Sequence, residues 1–383
     1  MNVRVLVPTA ISFLLAICCS SASAALPIPP PPDLGASSYI LIDATTGYPV
    51  AASAPDLPVE PASLTKLMTA YVVFQALDAG QIDLNDNVTI SDAAHAAGLA
   101  GSRMFAEIGS QVSVEDLLQG MIVQSGNDSS VALAEHVAGS ESVFAGLMNA
   151  YANELGMRSS NFKNSHGLPA EGHVTTARDM ATLARAIIAE FPDYYRWYGQ
   201  REFTWNDITQ PNRNGLLSRD PSVDGMKTGY TEAAGYCLVA SASRDDMRLV
   251  SAVMGTASTR ARETGSQSLL NYGFRFFETR QAFASGASVD TQRVWYGESN
   301  EVTLGVAEDV WVTVPRGRYE EVVPSVTLPG RLEAPLAAGA EIGILKLTLD
   351  GDEITRAPLT VLQSVEEGGF FKRMGDGVRL WFE

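Results

Sequence analysis

The sequence predicts an α/β (α+β) domain, an antiparallel sheet flanked by helices, followed by a small all-β domain. Three observations carry this. Segments with helical apolar spacing sit between β-rich segments through the first two-thirds of the chain. From about Ala282 the texture changes to short alternating segments. About 359 residues remain once a leader is removed, more than one hydrophobic core usually serves.

The leader is read from Met1 to Arg4, an apolar stretch at 5–17, and the small residues Ser20-Ser21-Ala22-Ser23-Ala24, with cleavage expected after Ala24. The apolar stretch is shorter than a spanning helix requires, and no later run reaches that length. Ile17 and Cys18 stand before Cys18 and Cys19 where lipidation requires a small residue, so a lipid anchor is not expected. The five prolines of 26–32 read as an extended tether at 25–35. Residues 39–43 and 47–51 read as a hairpin around Ala44-Thr45-Thr46. Leu64, Leu67, Met68, Tyr71, Val72 and Phe74 recur at helical spacing over 63–76, and 114–121 and 129–137 share that period. The β-rich segments 236–241 and 247–254, joined by the charged turn Arg244-Asp245-Asp246, complete a sheet beside the helices. Residues 36–281 thus form the main domain. The second, at 282–367, contains 310–314 and 345–349, with Asp350-Gly351 as a hairpin turn. At 368–383, Phe371, Met374, Val378 and Trp381, with Phe370 and Phe382 beside them, mark one face at helical spacing, and Lys372, Arg373 and Arg379 lie off it. An interfacial helix is expected, although Gly375 and Gly377 weaken the helix and Asp376 and Glu383 are acidic.

The net charge of −17 argues against a polyanion such as nucleic acid as the main ligand. With four scattered histidines and one cysteine, Cys237, beyond the leader, there is little from which to build a metal site and no intramolecular disulfide. No cofactor is expected, and oligomeric state leaves no mark.

Lysine occurs only at positions 66, 163, 227, 346 and 372, so motifs that contain it carry weight. In Ser63-Leu64-Thr65-Lys66, at the start of a predicted helix, a hydroxyl and an amine three residues apart share a face, and the amine can take the hydroxyl proton if desolvation or another cation lowers its pKa. Lys227 is a candidate for that second cation. Alone, the pattern also describes a capping serine with a solvated lysine. Ser125-Gly126-Asn127-Asp128 lies in a turn between predicted helices. Ser125 could relay a proton to a leaving amine, and Asn127 could orient Lys66 and hold an amide carbonyl. Lys227-Thr228-Gly229-Tyr230 opens a predicted strand. Gly229 would let an extended substrate lie close, Thr228 and Lys227 would face its carboxylate, and the N–H groups of Ser63 and Tyr230 would form an oxyanion hole.

With these residues, and with 61–69, 124–128, His166-Gly167-Leu168, 212–217, 223–229 and 273–279, the chain resembles the penicillin-recognising serine hydrolases. The likeness is greatest to the low-molecular-mass penicillin-binding proteins that are D-alanyl-D-alanine carboxypeptidases, and it spans nearly the whole chain beyond the leader. It implies a penicillin-binding/β-lactamase-like catalytic domain with Ser63 as nucleophile, Lys66 as base, Lys227 as second lysine and Arg213 binding the terminal carboxylate. It also implies peptidoglycan stem peptides and β-lactams as ligands, a periplasmic location, and a C-terminus docked on the inner membrane. Histidine is expected after Lys-Thr-Gly in the best-known members, so Tyr230 bears on how fast an acyl-enzyme is hydrolysed.

A class A β-lactamase would need a deacylating glutamate in a Glu-x-x-Leu-Asn loop. Glu171 has no such asparagine, and Glu202-Phe203-Thr204-Trp205-Asn206 replaces the leucine with Trp205 and lies too close to Lys227. A D,D-endopeptidase would use the same machinery on cross-links. A catalytically silent wall-binding scaffold would be expected to have lost motif residues, and all are intact.

Overall fold

In the computed structural model, residues 28–381 are described; the expected leader, the first part of the tether, Phe382 and Glu383 lie outside them. Strands β1 (Ser38–Asp43) and β2 (Pro49–Ser53) form the expected hairpin. The chain then leaves the sheet for α1 (Thr65–Asp78), α2 (Asp92–Leu99), α3 (Val114–Val123), α4 (Asn127–Ala138), α5 (Glu141–Glu154), α6 (Ala177–Glu190) and the one-turn helices α7 (Pro192–Tyr195) and α8 (Leu216–Arg219). Two small two-stranded antiparallel sheets interrupt them, β3 (Asn87–Thr89) with β4 (Gln111–Ser113), and the hairpin of β5 (Glu202–Trp205) with β6 (Ile208–Pro211). It returns as β7 (Val223–Thr231), β8 (Gly235–Arg244) and β9 (Met247–Thr256), then α9 (Thr259–Phe276). The antiparallel sheet runs β2-β1-β9-β8-β7 and leaves β7 as an open edge.

Strand periodicity explains why the sheet lies between two helical layers. Along β8, Cys237 and Val239 join the core under α1 and α3–α6, while Leu238, Ala240 and Ala242 join the core under α9. The apolar run of β8 is therefore buried on both faces. Leu64, Leu67 and Met68 are wholly buried beneath β7–β9, each side chain contributing about 1.5–3 kcal/mol by leaving water. Helices α2, α3, α5, α6 and α9 begin at side-chain caps: Ser91, Ser113, Ser140, Thr176 and Ser258 each accept a backbone N–H three residues on.

Two sequence expectations are corrected in detail. The Lys227–Tyr230 motif does not open a strand; it occupies the second half of β7, which already pairs with β8 from Val223 onward. The proline-rich segment does not stand clear of the domain where it is described. Tyr272 Oη donates to the Pro29 carbonyl at 3.0 Å, and Leu34 packs against Gly265 on α9.

Beyond α9, β10 (Phe277–Phe283) pairs with β13 (Val310–Pro315), and a six-stranded sheet is ordered β14 (Val323–Thr327), β16 (Glu341–Leu349), β17 (Asp352–Val361), β12 (Glu301–Gly305), β11 (Ser288–Trp295), β15 (Leu332–Glu333). Asp350 and Gly351 join β16 to β17 with φ of 55° and 90°, the left-handed pair a two-residue hairpin requires. A separate apolar core fills this part, with Val312, Leu345 and Leu359 at its centre. Buried polar side chains join it to the first: Asp43 accepts from Thr46 and Thr279, and Thr313 bonds Thr46 at 2.6 Å and Thr279 at 2.9 Å.

The terminal segment is helical as expected, α10 (Phe370–Leu380). Asp376 is not on the outward face. It is 2% exposed, accepts the Tyr296 backbone N–H at 3.0 Å and pairs with Lys372 at 2.6 Å, fastening α10 by its polar side to the β domain. Phe370, Phe371, Met374, Val378 and Trp381 point away, with Phe371 82% and Trp381 90% exposed. No helix among the described residues is long and apolar enough to cross a membrane.

Candidate active site

Ser63 sits in a single 3-10 turn, Ala62–Leu64, that leads directly into α1. Lys66 lies in the first turn of α1, so the helix places its amine beneath the Ser63 hydroxyl. Ala62 enters this turn at φ 47°, and the backbone of Gly167 lies against it; a Cβ on Gly167 would overlap the Ala62 carbonyl oxygen. Gly167, itself at φ 90°, is thus required twice over, by conformation and by contact.

Lys66 is 1% exposed, and its Nζ has three neighbours: Ser63 Oγ at 3.2 Å, Asn127 Oδ1 at 2.7 Å and the His166 carbonyl oxygen at 2.5 Å. A neutral amine has two N–H bonds and one lone pair. Asn127 and His166 offer only acceptors and take both N–H bonds, so the lone pair is left for Ser63. Burial first, and then the Arg213 guanidinium, lower the Lys66 pKa to about 7, with Asp128 opposing. Lys227 is 2% exposed and is driven well below its ordinary range by burial, then by Lys66, Arg213 and Arg262. The cation that most lowers Lys66 is therefore Arg213.

The turn between α3 and α4 supplies the next residues. Ser125 adopts φ 66°, is 2% exposed, and its Oγ has no hydrogen-bond partner although it lines the cleft. An orphaned buried hydroxyl is costly unless an incoming group satisfies it. Asn127 is held from behind, its Nδ2 donating to the Ala97 carbonyl at 3.2 Å. Asp128 accepts the Met104 and Ala106 N–H groups and so fixes the loop that brings Ser102 to the cleft.

On β7, alternation sends Lys227 and Gly229 toward α1 and turns Thr228 and Tyr230 to the opposite face. A Cβ on Gly229 would press on Leu64, the Pro61 carbonyl and Ala62 at 3.2–3.3 Å. The glycine allows β7 to approach the Ser63 turn, and it also lines the cleft where the sequence suggested a substrate strand. Tyr230 is 50% exposed and lies over Tyr236, ring centroids 4.3 Å apart.

Ser63, Ser102, Ser125, Arg213, Thr228, Tyr230, Tyr236 and Arg262 surround one cleft of about 250 Å³. Arg213 Nε donates to the Gln124 carbonyl at 3.0 Å and to Gln124 Oε1 at 3.2 Å, and its two terminal nitrogens have no partner among the described residues. Arg262, on α9, carries no sequence motif and was not foreseen. It is 6% exposed, donates to the Gly229 carbonyl at 3.2 Å, and its Nε is unpartnered. Glu202 is exposed on β5, Asn206 lies in the following turn, and neither lines the cleft. No cluster of metal-ligating side chains occurs among the described residues.

Residues 25–258 match the family model described as D-alanyl-D-alanine carboxypeptidase, and residues 277–367 match the penicillin-binding protein 5 C-terminal domain. The chain is 49% identical over 357 residues to the D-alanyl-D-alanine carboxypeptidase DacC of Escherichia coli, covering 92% of this chain and 89% of that protein. It is 45% identical over 361 residues to DacA of the same organism, covering 93% and 90%. Its structure resembles penicillin binding protein 5 from Haemophilus influenzae with a TM-score of 0.84 at 44% identity, over 88% of this chain and all of that one. Fold, site geometry and similarity agree, and the chain belongs to the D-alanyl-D-alanine carboxypeptidase family.

Proposed function

We propose that this protein is a serine D-alanyl-D-alanine carboxypeptidase that removes the terminal D-alanine from peptidoglycan pentapeptide stems through an acyl-enzyme on Ser63, and that penicillins acylate the same serine. The observation that carries the reading is the Lys66 amine, buried, with both N–H bonds taken by Asn127 and His166 and its lone pair left for Ser63.

The residues perform the reaction in two halves. Ser63 Oγ attacks the carbonyl of the penultimate D-alanine while Lys66 Nζ takes its proton. The N–H groups of Ser63 and Tyr230 hold the oxyanion, and Asn127 and the open edge of β7 hold the peptide backbone. The C–N bond breaks as the leaving amine receives a proton from Ser125 Oγ, which is replenished from Lys66. D-alanine departs. Water then attacks the ester, giving its proton to Lys66, and Ser63 Oγ leaves reprotonated. A β-lactam follows the first half, but its amine stays attached through the opened ring and continues to block the site.

Arg213 and Arg262, with Lys227 and Thr228, receive the free carboxylate of the substrate. Arg213→Ala is expected to lower kcat/KM for a stem with a free C-terminus by about 10- to 100-fold, the loss of a charge-assisted bidentate contact. Its effect on a C-terminally amidated stem should be severalfold smaller. Equal losses on both stems would remove the carboxylate role.

The outward apolar face of α10 fits a lipid surface, which supports a position on the outer face of the inner membrane in the periplasm. Deleting 370–383 is expected to move the protein from the membrane to the soluble fraction with activity on small peptides unchanged. Full retention on membranes after the deletion would show that the segment does not anchor it.

Product analysis tests the function itself. With a purified pentapeptide muropeptide and a cross-linked dimer in parallel, free D-alanine and a tetrapeptide stem are expected from the first. Cleavage of the dimer alone would make the enzyme an endopeptidase.

A further inference from the structure

The amine of Lys66 is aimed in part by a backbone atom, the His166 carbonyl, so whatever fixes that loop also fixes the lone pair. We propose that Glu141, the first residue of α5, is the positioning residue that clamps the 164–168 loop and through it orients Lys66 toward Ser63. The inference rests on the carboxypeptidase reading for its substrate but not for its geometry.

A single carboxylate oxygen does the holding. Glu141 Oε1 accepts the Ser165 backbone N–H at 2.9 Å and the Ser165 hydroxyl at 2.6 Å, and lies 3.5 Å from His166 Nε2. The His166 Nδ1 accepts the Leu168 N–H at 3.1 Å, which leaves Nε2 as the proton-bearing nitrogen facing Glu141. Burial first, against the opposing charge of Glu141 and with a further push from Lys66, lowers His166 to about 4, so the ring is neutral at working pH and its contact with Glu141 is not an ion pair. From the other side, Thr69 Oγ1 on α1 donates to the Ser165 carbonyl at 2.6 Å. Asn164 closes the loop on itself, accepting the Gly167 N–H at 2.7 Å and donating to the Leu168 carbonyl at 2.9 Å. The loop is thus braced by itself, by Thr69 from α1 and by Glu141 from α5. Glu141 is placed by the Ser140 cap of α5, and it does not line the cleft.

Without Glu141 the Ser165 N–H and hydroxyl lose their acceptor and the loop can settle elsewhere. The His166 carbonyl is then free to leave Lys66, and an amine with one N–H released no longer presents its lone pair to Ser63. Displacements of about 1 Å at reacting groups cost on the order of 100-fold in rate. Glutamine retains the geometry, because its amide oxygen accepts the same two Ser165 protons.

The test compares E141A and E141Q with the parent in the full-length protein. The readouts are the second-order acylation rate with a fluorescent penicillin, and kcat and KM for D-alanine release. E141A is expected to lower acylation and kcat by about 10- to 100-fold with KM within about twofold, and E141Q to stay within about threefold of the parent. An E141A rate equal to the parent, or an E141Q rate as low as that of E141A, overturns the proposal. Should E141A not fold, Ser165→Ala, which removes one of the two protons Glu141 accepts, is expected to slow acylation by at least about threefold; an unchanged rate there overturns it equally. Failure of the parent itself to release D-alanine would instead strike at the carboxypeptidase reading, and the acylation comparison would stand.

Discussion

Ser63→Ala is expected to abolish D-alanine release, with a loss of at least about 1000-fold, and to eliminate covalent penicillin labelling. No other hydroxyl stands in its place. Among the described residues, Ser63 Oγ is the one hydroxyl bonded to Lys66 Nζ, and Ser125 Oγ has no hydrogen-bond partner. The substitution removes one half-buried oxygen at a helix start, so the fold and the binding of substrate should persist. That separates it from a variant that fails by unfolding. Penicillin labelling retained in Ser63→Ala would remove Ser63 as the nucleophile.

Lys66→Ala is expected to lower the acylation rate by about 100- to 10,000-fold, the range for removing a general base. The amine is wholly buried and held by three oxygen neighbours, yet its depressed pKa shows that its environment disfavours the charged form. The pH profile follows with a definite sign. Below about pH 7 Lys66 is protonated and has no lone pair, so acylation should fall about tenfold per unit as pH drops below 7, and level off above it. A lysine at its ordinary pKa would instead give a rate still climbing near pH 10. Stopped-flow acylation from pH 5 to 9 decides between them. A rate independent of pH across that interval, or normal acylation by Lys66→Ala, would exclude Lys66 as the base.

Much of this site was legible because its chemistry depends on side chains in motifs. Ser63, Lys66, Ser125, Asn127, Lys227 and Thr228 are brought together by three segments whose spacing and order were already informative. What was missed is backbone or lacks a motif. The acceptor that completes Lys66 is the carbonyl of His166, and a carbonyl is present at every position, so no residue type signals it. Arg262 projects from a long helix after the last motif, and only the packing of α9 on β8 and β9 shows that it reaches the cleft. Glu141 is one of many acidic residues that open helices, and its link to Ser165 spans 24 positions.

The fold was legible for similar reasons. The helices over 63–76 and 114–121 showed apolar residues at helical spacing, and the structure places α1 at Thr65–Asp78 after a 3-10 turn and ends α3 at Val123. Strand β7 was placed too late because Val223-Asp224-Gly225-Met226 lacks both alternation and a continuous apolar run, and pairing with β8 supplies what the sequence does not. At α10, Gly375 and Gly377 argued against a helix. The anchorage of Asp376 to the Tyr296 N–H and to Lys372 offsets their weak propensity.

The central claim, that one serine takes the acyl group in this cleft, is tested most directly by mapping the adduct. The full-length protein is incubated with a penicillin, digested, and its peptides are read by mass spectrometry. The expected result is a single penicilloyl mass, on the peptide that contains Ser63 and assigned to that residue by fragmentation, with Ser125 unmodified. An adduct on any other residue, or an unmodified Ser63 peptide after prolonged exposure, would contradict the account.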